Sequence, residues 1–569
     1  MSASVVRGAA TPALLECTIG EQLAAMAAAR PQHDALVVPH QGIRWSWQEL
    51  LERSDALASG LLEAGLQPGD RVGIWAPNCA EWTLAQFATA RAGLILVTIN
   101  PAYRVTEVEY ALNKVQCAAL ITAPAFKTSD YLGMLRELGW PADATHSTMA
   151  AGTDSTSAST RLPHLRFIAA LGETAHAGFV SFNALANCAV DTARLAAVAA
   201  ELKSTDAVNI QFTSGTTGFP KGATLTHRNI LNNGRFVGEA IGLTPVDRIC
   251  IPVPLYHCFG MVMGNLAAVT HGATMVYPAE SFEPLAVLRT VASERCTALY
   301  GVPTMFIALL NHPQFDEFDL ASLRTGIMAG SPCPIATMKE VIARMHMHEV
   351  TIAYGMTETS PVSFQTGRDD PLDERVSTVG RVQPHLEVKI VDATGNTVPR
   401  GVPGELCTRG YSVMLGYWGD PEKTAEAVDA EGWMHTGDLA TLDEQGYCRI
   451  TGRSKDMVIR GGENVYPREI EEYLLSHPAV ADAQVIGVPD ERYGEEVCAW
   501  VVVRAGAETT AEALREYCRG RIAHYKVPRY VRLVEGFPMT VTGKVQKYVM
   551  RQETARWLGI ATRDPGQAQ

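Results

Sequence analysis

No Cys-x-x-Cys pair occurs in the chain, although it holds twelve cysteines. Thiols scattered in this way fit a reducing, cytoplasmic setting better than a zinc site or a disulfide framework. No apolar run is long enough to cross a bilayer: the best, Ala92 to Ile99, is about half of the roughly 18 residues required. The N-terminus has a single early Arg7 and no apolar core behind it, which argues against a secretory signal. Residues 1–14 also lack acidic side chains, as an organelle leader would, so targeting by residues 1–17 stays open. Basic excess is missing too. The formal charge is −13, and a nucleic-acid partner needs a basic face that nothing here supplies. Charged residues make up only 19% against 47% hydrophobic, which excludes a disordered chain. With 569 residues there is material for three to four units of roughly 150 residues each.

What is present alternates. Residues 47–63 space apolar side chains three and four apart until Gly65 and Pro68-Gly69 stop the helix. Arg71 to Ala76 reads as a short strand, Ala80 to Ala92 as a helix, and Leu94 to Ile99 as a strand. After residue 200 strands are expected at 207–212, 248–253, 273–277, 297–301, 324–329 and 350–354, with helical patterns in most of the intervals. This rhythm predicts an α/β protein with doubly wound, mainly parallel sheets. Residues 144–162 are small, polar and of low complexity, and read as a surface loop. From about 379 to 451 short β runs between Gly, Pro and Asp turns predict a β-rich subdomain. Beyond Lys455 a small α+β domain is expected, with helices at 467–475 and 511–523 and strands near 483–488, 497–503 and 529–534.

The most informative segment is Phe212-Thr-Ser-Gly-Thr-Thr-Gly-Phe-Pro-Lys-Gly-Ala223, which follows an apolar strand. Gly215, Gly218 and Gly222 allow tight turns whose N–H groups can converge on phosphate oxygens. Thr213, Ser214, Thr216 and Thr217 add hydroxyl donors, and Lys221, after Phe219 and Pro220, adds a cation. No Gly-Lys-Ser/Thr triplet follows, so this is not a Walker A loop.

The segment resembles the phosphate loop of the adenylate-forming superfamily, and four further motifs follow in that family's order. Ala353-Tyr-Gly-Met-Thr-Glu358 is similar to its adenine and magnesium motif, and His435-Thr-Gly-Asp438 to its ribose motif. Gly452-Arg-Ser-Lys-Asp456 resembles the hinge, and Pro538-Met-Thr-Val-Thr-Gly-Lys544 the C-terminal lysine motif. The runs Pro254-Leu-Tyr-His-Cys-Phe-Gly260, Met414-Leu-Gly-Tyr-Trp418 and Ile459-Arg-Gly-Gly-Glu-Asn-Val-Tyr-Pro467 are most similar to medium-chain acyl-CoA synthetases. The likeness spans about residues 18 to 555.

The resemblance implies a tail over 1–17, an AMP-binding domain over 18–454, and a mobile C-terminal domain over 455–569 that turns about Lys455. It implies an ATP-dependent fatty acid–CoA ligase that adenylates a carboxylate and then forms a thioester with CoA. Two anions must meet in the first step, so fixed donors and positive charge are needed. By the resemblance, the 213–217 hydroxyls and Lys221 hold the β- and γ-phosphates. Glu358 takes Mg2+, with Thr213 beside it, and Thr357 donates to the α-phosphate. Tyr354 and Gly355 face adenine on one side, and Gly330, Ser331 and Pro332 on the other. Asp438 and Arg453 bind the ribose. Lys544 carries the adenylation step, by placing an ammonium between carboxylate and α-phosphate. Gly461 and Gly462 line the CoA route. His257 either orients the carboxylate, guards the thiol route or is a hydrogen-bonded structural histidine.

Phe259, Met261, Met263, Val302, Met305, Phe306 and Val362 are expected to line an apolar acyl pocket, with Gly260, Gly264 and Gly301 leaving space. The methionines could equally be core filler. Arg515, Arg519, Arg521, Lys526 and Arg529 read mainly as solvated charges, with attraction of CoA phosphates as the other option. The partners implied are a small carboxylic acid, ATP and CoA. Oligomeric state stays open, a homodimer included. Three other readings compete: a ligase loading a carrier protein, a luciferase-like oxygenase, and a nucleotide-binding protein without catalysis.

Overall fold

The computed structural model describes residues 2–141, 159–213, 220–331, 333–453, 455–460, 463–490, 492–540 and 544–560. Ser214 to Phe219, Pro332, Gly461 and Gly462 lie outside them, as does most of the expected surface loop at 144–162. At the end of that loop Thr160 and Arg161 are exposed, but its flanks turn inward. Ser159 and Leu162 are buried, and Ser159 Oγ donates to the Leu138 carbonyl at 2.6 Å.

Two large sheets form the body, as the α/β rhythm predicts. The first has eight strands, in the order 180–181, 167–170, 119–122, 71–75, 95–98, 207–213, 221–226 and 416–417. Its first six are mutually parallel, and the last two are added by antiparallel pairings, so that only 221–226 runs against the rest. The second has nine strands, with a parallel centre running through 349–355, 325–329, 298–301, 248–250, 274–276 and 34–38. Both centres read as continuous apolar runs because helices cover their two faces. One cluster that includes Trp47, Trp75, Trp82, Phe87 and Tyr277 fills the space around them. Helix Trp47–Glu63 starts on a reciprocal cap: Glu49 N donates to Ser46 Oγ, and Ser46 N to the Glu49 carboxylate. A cap of this kind stabilises a helix by about 1 kcal/mol.

The β-rich segment forms a five-stranded antiparallel sheet from 386–391, 404–410, 434–442 and 448–453, with an added edge strand, Val5–Arg7. Val5, Val6 and Arg7 pair with Lys389, Val388 and Glu387. The sequence reading treats residues 1–17 as a tail and gives no strand there. After Lys455 the chain builds a smaller sheet of its own around strands 480–490 and 494–503, with helix Pro467–Leu475 packed on it. The helix expected over 511–523 ends at Cys518, because Arg519 turns to extended backbone ahead of Gly520 at φ +69°.

Candidate active site

The site collects at the C-terminal ends of the parallel strands, the usual place for ligands in open α/β sheets. Strand Ala207–Thr213 leaves for the Thr/Gly-rich loop, and strand Lys221–Thr226 returns from it. Thr213 and Lys221 face each other in register and form the loop's two posts.

Glu358 lies on the single turn Thr357–Thr359 that follows strand Glu349–Gly355. Its carboxylate is buried, and Oε1 accepts from Thr213 Oγ1 at 3.2 Å and from the Tyr417 hydroxyl at 2.8 Å. The Lys221 ammonium stands over the Tyr417 ring, 4.4 Å from its centre, a favourable contact for a cation. The turn needs Gly355, since a Cβ there would sit 1.7 Å from the Pro361 carbonyl oxygen. Thr357 is buried, with its hydroxyl 4.0 Å from Cys258 Sγ.

A second group forms on the β-rich sheet. Asp438 and Arg453 are register partners on adjacent strands. Arg453 Nε donates to Asp438 Oδ1 at 2.8 Å, and the Tyr354 hydroxyl donates to Oδ2 at 2.5 Å. Burial and the neighbouring carboxylate raise the Tyr354 phenol well above its ordinary value, and Asp438 raises the Arg453 guanidinium. Gly330, at φ +89°, and Ser331 follow strand Thr325–Ala329, whose Ala329 pairs with Ala353, next to Tyr354.

Lys544 belongs to a closed turn: its N–H donates to Thr540 Oγ1 at 3.0 Å, and Thr540 N–H to the Lys544 carbonyl at 2.8 Å. By surface area the residue is exposed. Protein still surrounds it densely enough that desolvation is the main force lowering its ammonium pKa, followed by repulsion from Arg453. Cys258, Glu358 and Asp438 oppose the shift, so Lys544 feels both groups described above.

His257 caps the short helix Cys258–Gly260 by accepting the Phe259 N–H on Nδ1 at 3.1 Å. That bond assigns its ring proton to Nε2. Burial, and then the charge of Lys544, push its pKa down to about 3, so the ring is neutral at pH 7. Lys455 lies two residues beyond Arg453, and its carbonyl accepts from Arg551 at 3.4 Å.

The expected acyl-pocket side chains are all buried, with Phe259, Met261, Met263, Val302, Met305 and Val362 in one cluster and Phe306 in the neighbouring one. The glycines differ from expectation. A Cβ on Gly260 would meet the Pro254 carbonyl at 2.5 Å, and one on Gly264 would meet Ile251 at 2.8 Å. They permit close packing rather than leave room. Of the basic residues in the small domain, Arg515, Arg519, Lys526 and Arg529 each pair with a carboxylate.

Sequence reasoning singled out the Tyr354 ring but not the bond its hydroxyl makes to Asp438, and it missed Tyr417. Tyr417 was visible within the Met414 to Trp418 run, yet its contact with Glu358 is long-range and no local pattern reports it.

Comparison with known proteins shows the family. The AMP-binding enzyme family matches residues 23–418, and the AMP-binding enzyme C-terminal domain matches 469–544. The chain belongs to this family of AMP-binding enzymes. It is 47% identical over 553 residues to YngI of Bacillus subtilis (strain 168), provisionally assigned as an acyl-CoA synthetase, covering 96% of this chain and 99% of that one. It is 45% identical over 564 residues to the mitochondrial medium-chain acyl-CoA ligase ACSF2 of Danio rerio, covering 98% and 92%. The crystal structure of the anthranilate CoA ligase AuaEII in complex with anthranoyl-AMP matches with a TM-score of 0.83 at 26% identity, covering 96% of this chain and 99% of that one. The protein is an enzyme of the acyl-CoA synthetase kind, a ligase that works by adenylation and then thioester formation. Among the described residues no helix is long and apolar enough to cross a membrane.

Proposed function

We propose that the protein activates medium-chain aliphatic carboxylic acids for transfer to CoA. A substrate carboxylate oxygen attacks the α-phosphorus of ATP, and pyrophosphate leaves with the broken P–O bond. The CoA thiol then attacks the acyl carbonyl, AMP departs, and the thiol proton passes to solvent.

In this reading Thr213, Ser214, Gly215, Thr216, Thr217, Gly218 and Lys221 hold the β- and γ-phosphates, and Thr357 donates to the α-phosphate. Tyr354, Gly355 and the 330–332 segment enclose adenine, while Asp438 and Arg453 take the ribose. Lys544 offsets the charge that builds up where carboxylate and α-phosphate meet, a service worth more in the transition state than before it. The Glu358 carboxylate, buried and held by two hydroxyl donors, suits a hard cation that keeps few carboxylate ligands. Mg2+ bound there with Thr213 would supply neutralising charge to the phosphates. The small domain turns about Lys455 between the two steps, and Gly461 and Gly462 admit the pantetheine arm. His257 caps its helix and borders the acid. The twelve free cysteines support a cytoplasmic location.

One observation supports the reading: Glu358 is held by Thr213 and Tyr417, and Asp438 by Arg453 and Tyr354, so that two fixed carboxylates stand ready for a metal-bound nucleotide. Medium chain length is supported by the apolar cluster of Phe259, Met261 and Met305 and by the ACSF2 relatives. The test is pyrophosphate release over straight-chain acids of increasing length, with and without CoA. Highest turnover on medium chains, with AMP release requiring CoA, is the expected result. Preference for amino acids, or turnover only with a carrier protein, would overturn it.

A further inference from the structure

Outside the nucleotide site, one cluster on the β-rich sheet has the chemistry of a metal centre. Strand Gly404–Gly410 presents Glu405 and Cys407 on one face, and Cys407 pairs in register with His435 on strand Met434–Leu442. Glu405, Cys407 and His435 each offer a ligand atom, all within 4.8 Å of one another. His435 Nδ1 lies 3.0 Å from Glu405 Oε2 and 3.5 Å from Cys407 Sγ. Tetrahedral zinc with ordinary bond lengths spans edges of roughly 3.4 Å between N and O and roughly 3.5 Å between N and S. The two edges at His435 are therefore near coordination spacing, and the third, between Glu405 and Cys407, lies within 4.8 Å.

A carboxylate also lies near the second ring nitrogen, just outside hydrogen-bond distance. A ligating imidazole generally gives its second N–H to a carboxylate, which fixes the ring. Here Nε2 of His435 faces Asp429 Oδ2 at 3.6 Å. Asp429 is itself fixed, its Oδ1 accepting from the backbone N–H groups of Glu431 and Trp433, each at 2.9 Å. The second oxygen of Glu405 accepts from Gly437 N at 3.1 Å. Lys389, opposite Cys407 on the next strand, stands over the Trp433 ring at 4.4 Å, and its charge acts on Cys407 and Asp429. Glu405, Asp429 and His435 side chains are each about one-third exposed, so an ion has a route in.

We propose that Glu405, Cys407 and His435 form a binding site for a thiophilic divalent cation of the zinc type, with Asp429 as its outer carboxylate and water as the fourth ligand. The thiol separates it from the oxygen-only chemistry of Mg2+. Binding replaces the Cys407 thiol proton, which passes to the buffer.

Cobalt(II) is the probe, added to the whole reduced protein under argon. The expected result is a single equivalent bound, with the intense sulfur-to-cobalt charge-transfer band and visible bands of a tetrahedral site. Zn2+ should bleach these bands because it binds such sites more tightly, and excess Mg2+ should not. Cys407→Ser should abolish the charge-transfer band while circular dichroism shows an intact fold. Asp429→Asn should keep the band and weaken binding about 10- to 100-fold. Absence of any band, or a band that survives Cys407→Ser and so comes from half-buried Cys17 or Cys188, would overturn the assignment. A Cys407→Ser protein that does not fold shifts the decision to Asp429→Asn, where unchanged affinity counts against the site.

Discussion

Tyr417 donates its phenolic proton to Glu358 Oε1 at 2.8 Å, the same oxygen that accepts from Thr213 at 3.2 Å. One carboxylate oxygen is thereby pinned from two strands of the phosphate-loop sheet. Tyr417→Phe removes one of the two donors to a charged acceptor, a bond worth about 1.5–3 kcal/mol. Adenylation should fall about 10-fold or more, with the Mg2+ dependence shifted to higher concentration. Pyrophosphate release across a Mg2+ titration measures this. An unchanged Mg2+ midpoint would mean that the phenol only packs.

Lys544→Ala should separate the two half-reactions. Loss of preorganised charge at the reacting centre costs about 10²-fold or more, so acyl-adenylate formation should collapse. Thioester formation from supplied acyl-adenylate should largely persist. Equal loss of both would remove Lys544 from the role given to it.

The pH profile follows from the same lysine. Its ammonium is lowered from the ordinary value by desolvation from surrounding protein and then by Arg453, and the protonated form is the useful one. Adenylation should therefore decline as pH rises, with a midpoint below the ordinary lysine pKa of about 10.4. His257, pushed to about 3, contributes no limb near neutrality. A rate that climbs from pH 6 to 7 and vanishes in His257→Gln would contradict this.

Asp438→Ala should weaken ATP and AMP alike, by about 10-fold or more if the carboxylate holds the ribose hydroxyls. It also strands Arg453 and the Tyr354 hydroxyl. Calorimetric titration of AMP reads this directly, and wild-type affinity in the variant would move the ribose elsewhere.

Acid stability should depend on His227, which is 1% exposed and accepts the Ile19 N–H at 3.1 Å. Burial lowers its pKa from 6.5 to about 4. The unfolded chain therefore takes up a proton that the folded chain refuses, and stability falls as pH drops from about 6.5 to about 4, by about 3 kcal/mol at the bottom. Melting temperature against pH should slope in that window, and the slope should flatten in His227→Gln.

Much of this was legible in the sequence because it is local. The hydroxyl-rich loop follows its apolar strand directly, so Thr213 and Lys221 could be singled out before their pairing was seen. Glu358 and Asp438 stood in ordered runs of their own. Long-range contacts were not legible. The hydroxyls of Tyr354 and Tyr417 bond to carboxylates far along the chain, and an aromatic residue in a strand gives no sign of where its polar tip reaches. Gly260 and Gly264 misled for a related reason: absence of a side chain says that something comes close, but not whether it is protein or empty space.

The strand Val5–Arg7 covers the outer side of Leu386–Val391, in a sheet whose last strand ends at Arg453, just before the proposed pivot. Clipping the first ten residues would bare a row of unsatisfied backbone donors and acceptors, an invitation to intermolecular strand addition. A trimmed enzyme that stayed monodisperse in light scattering would show that this seam is dispensable.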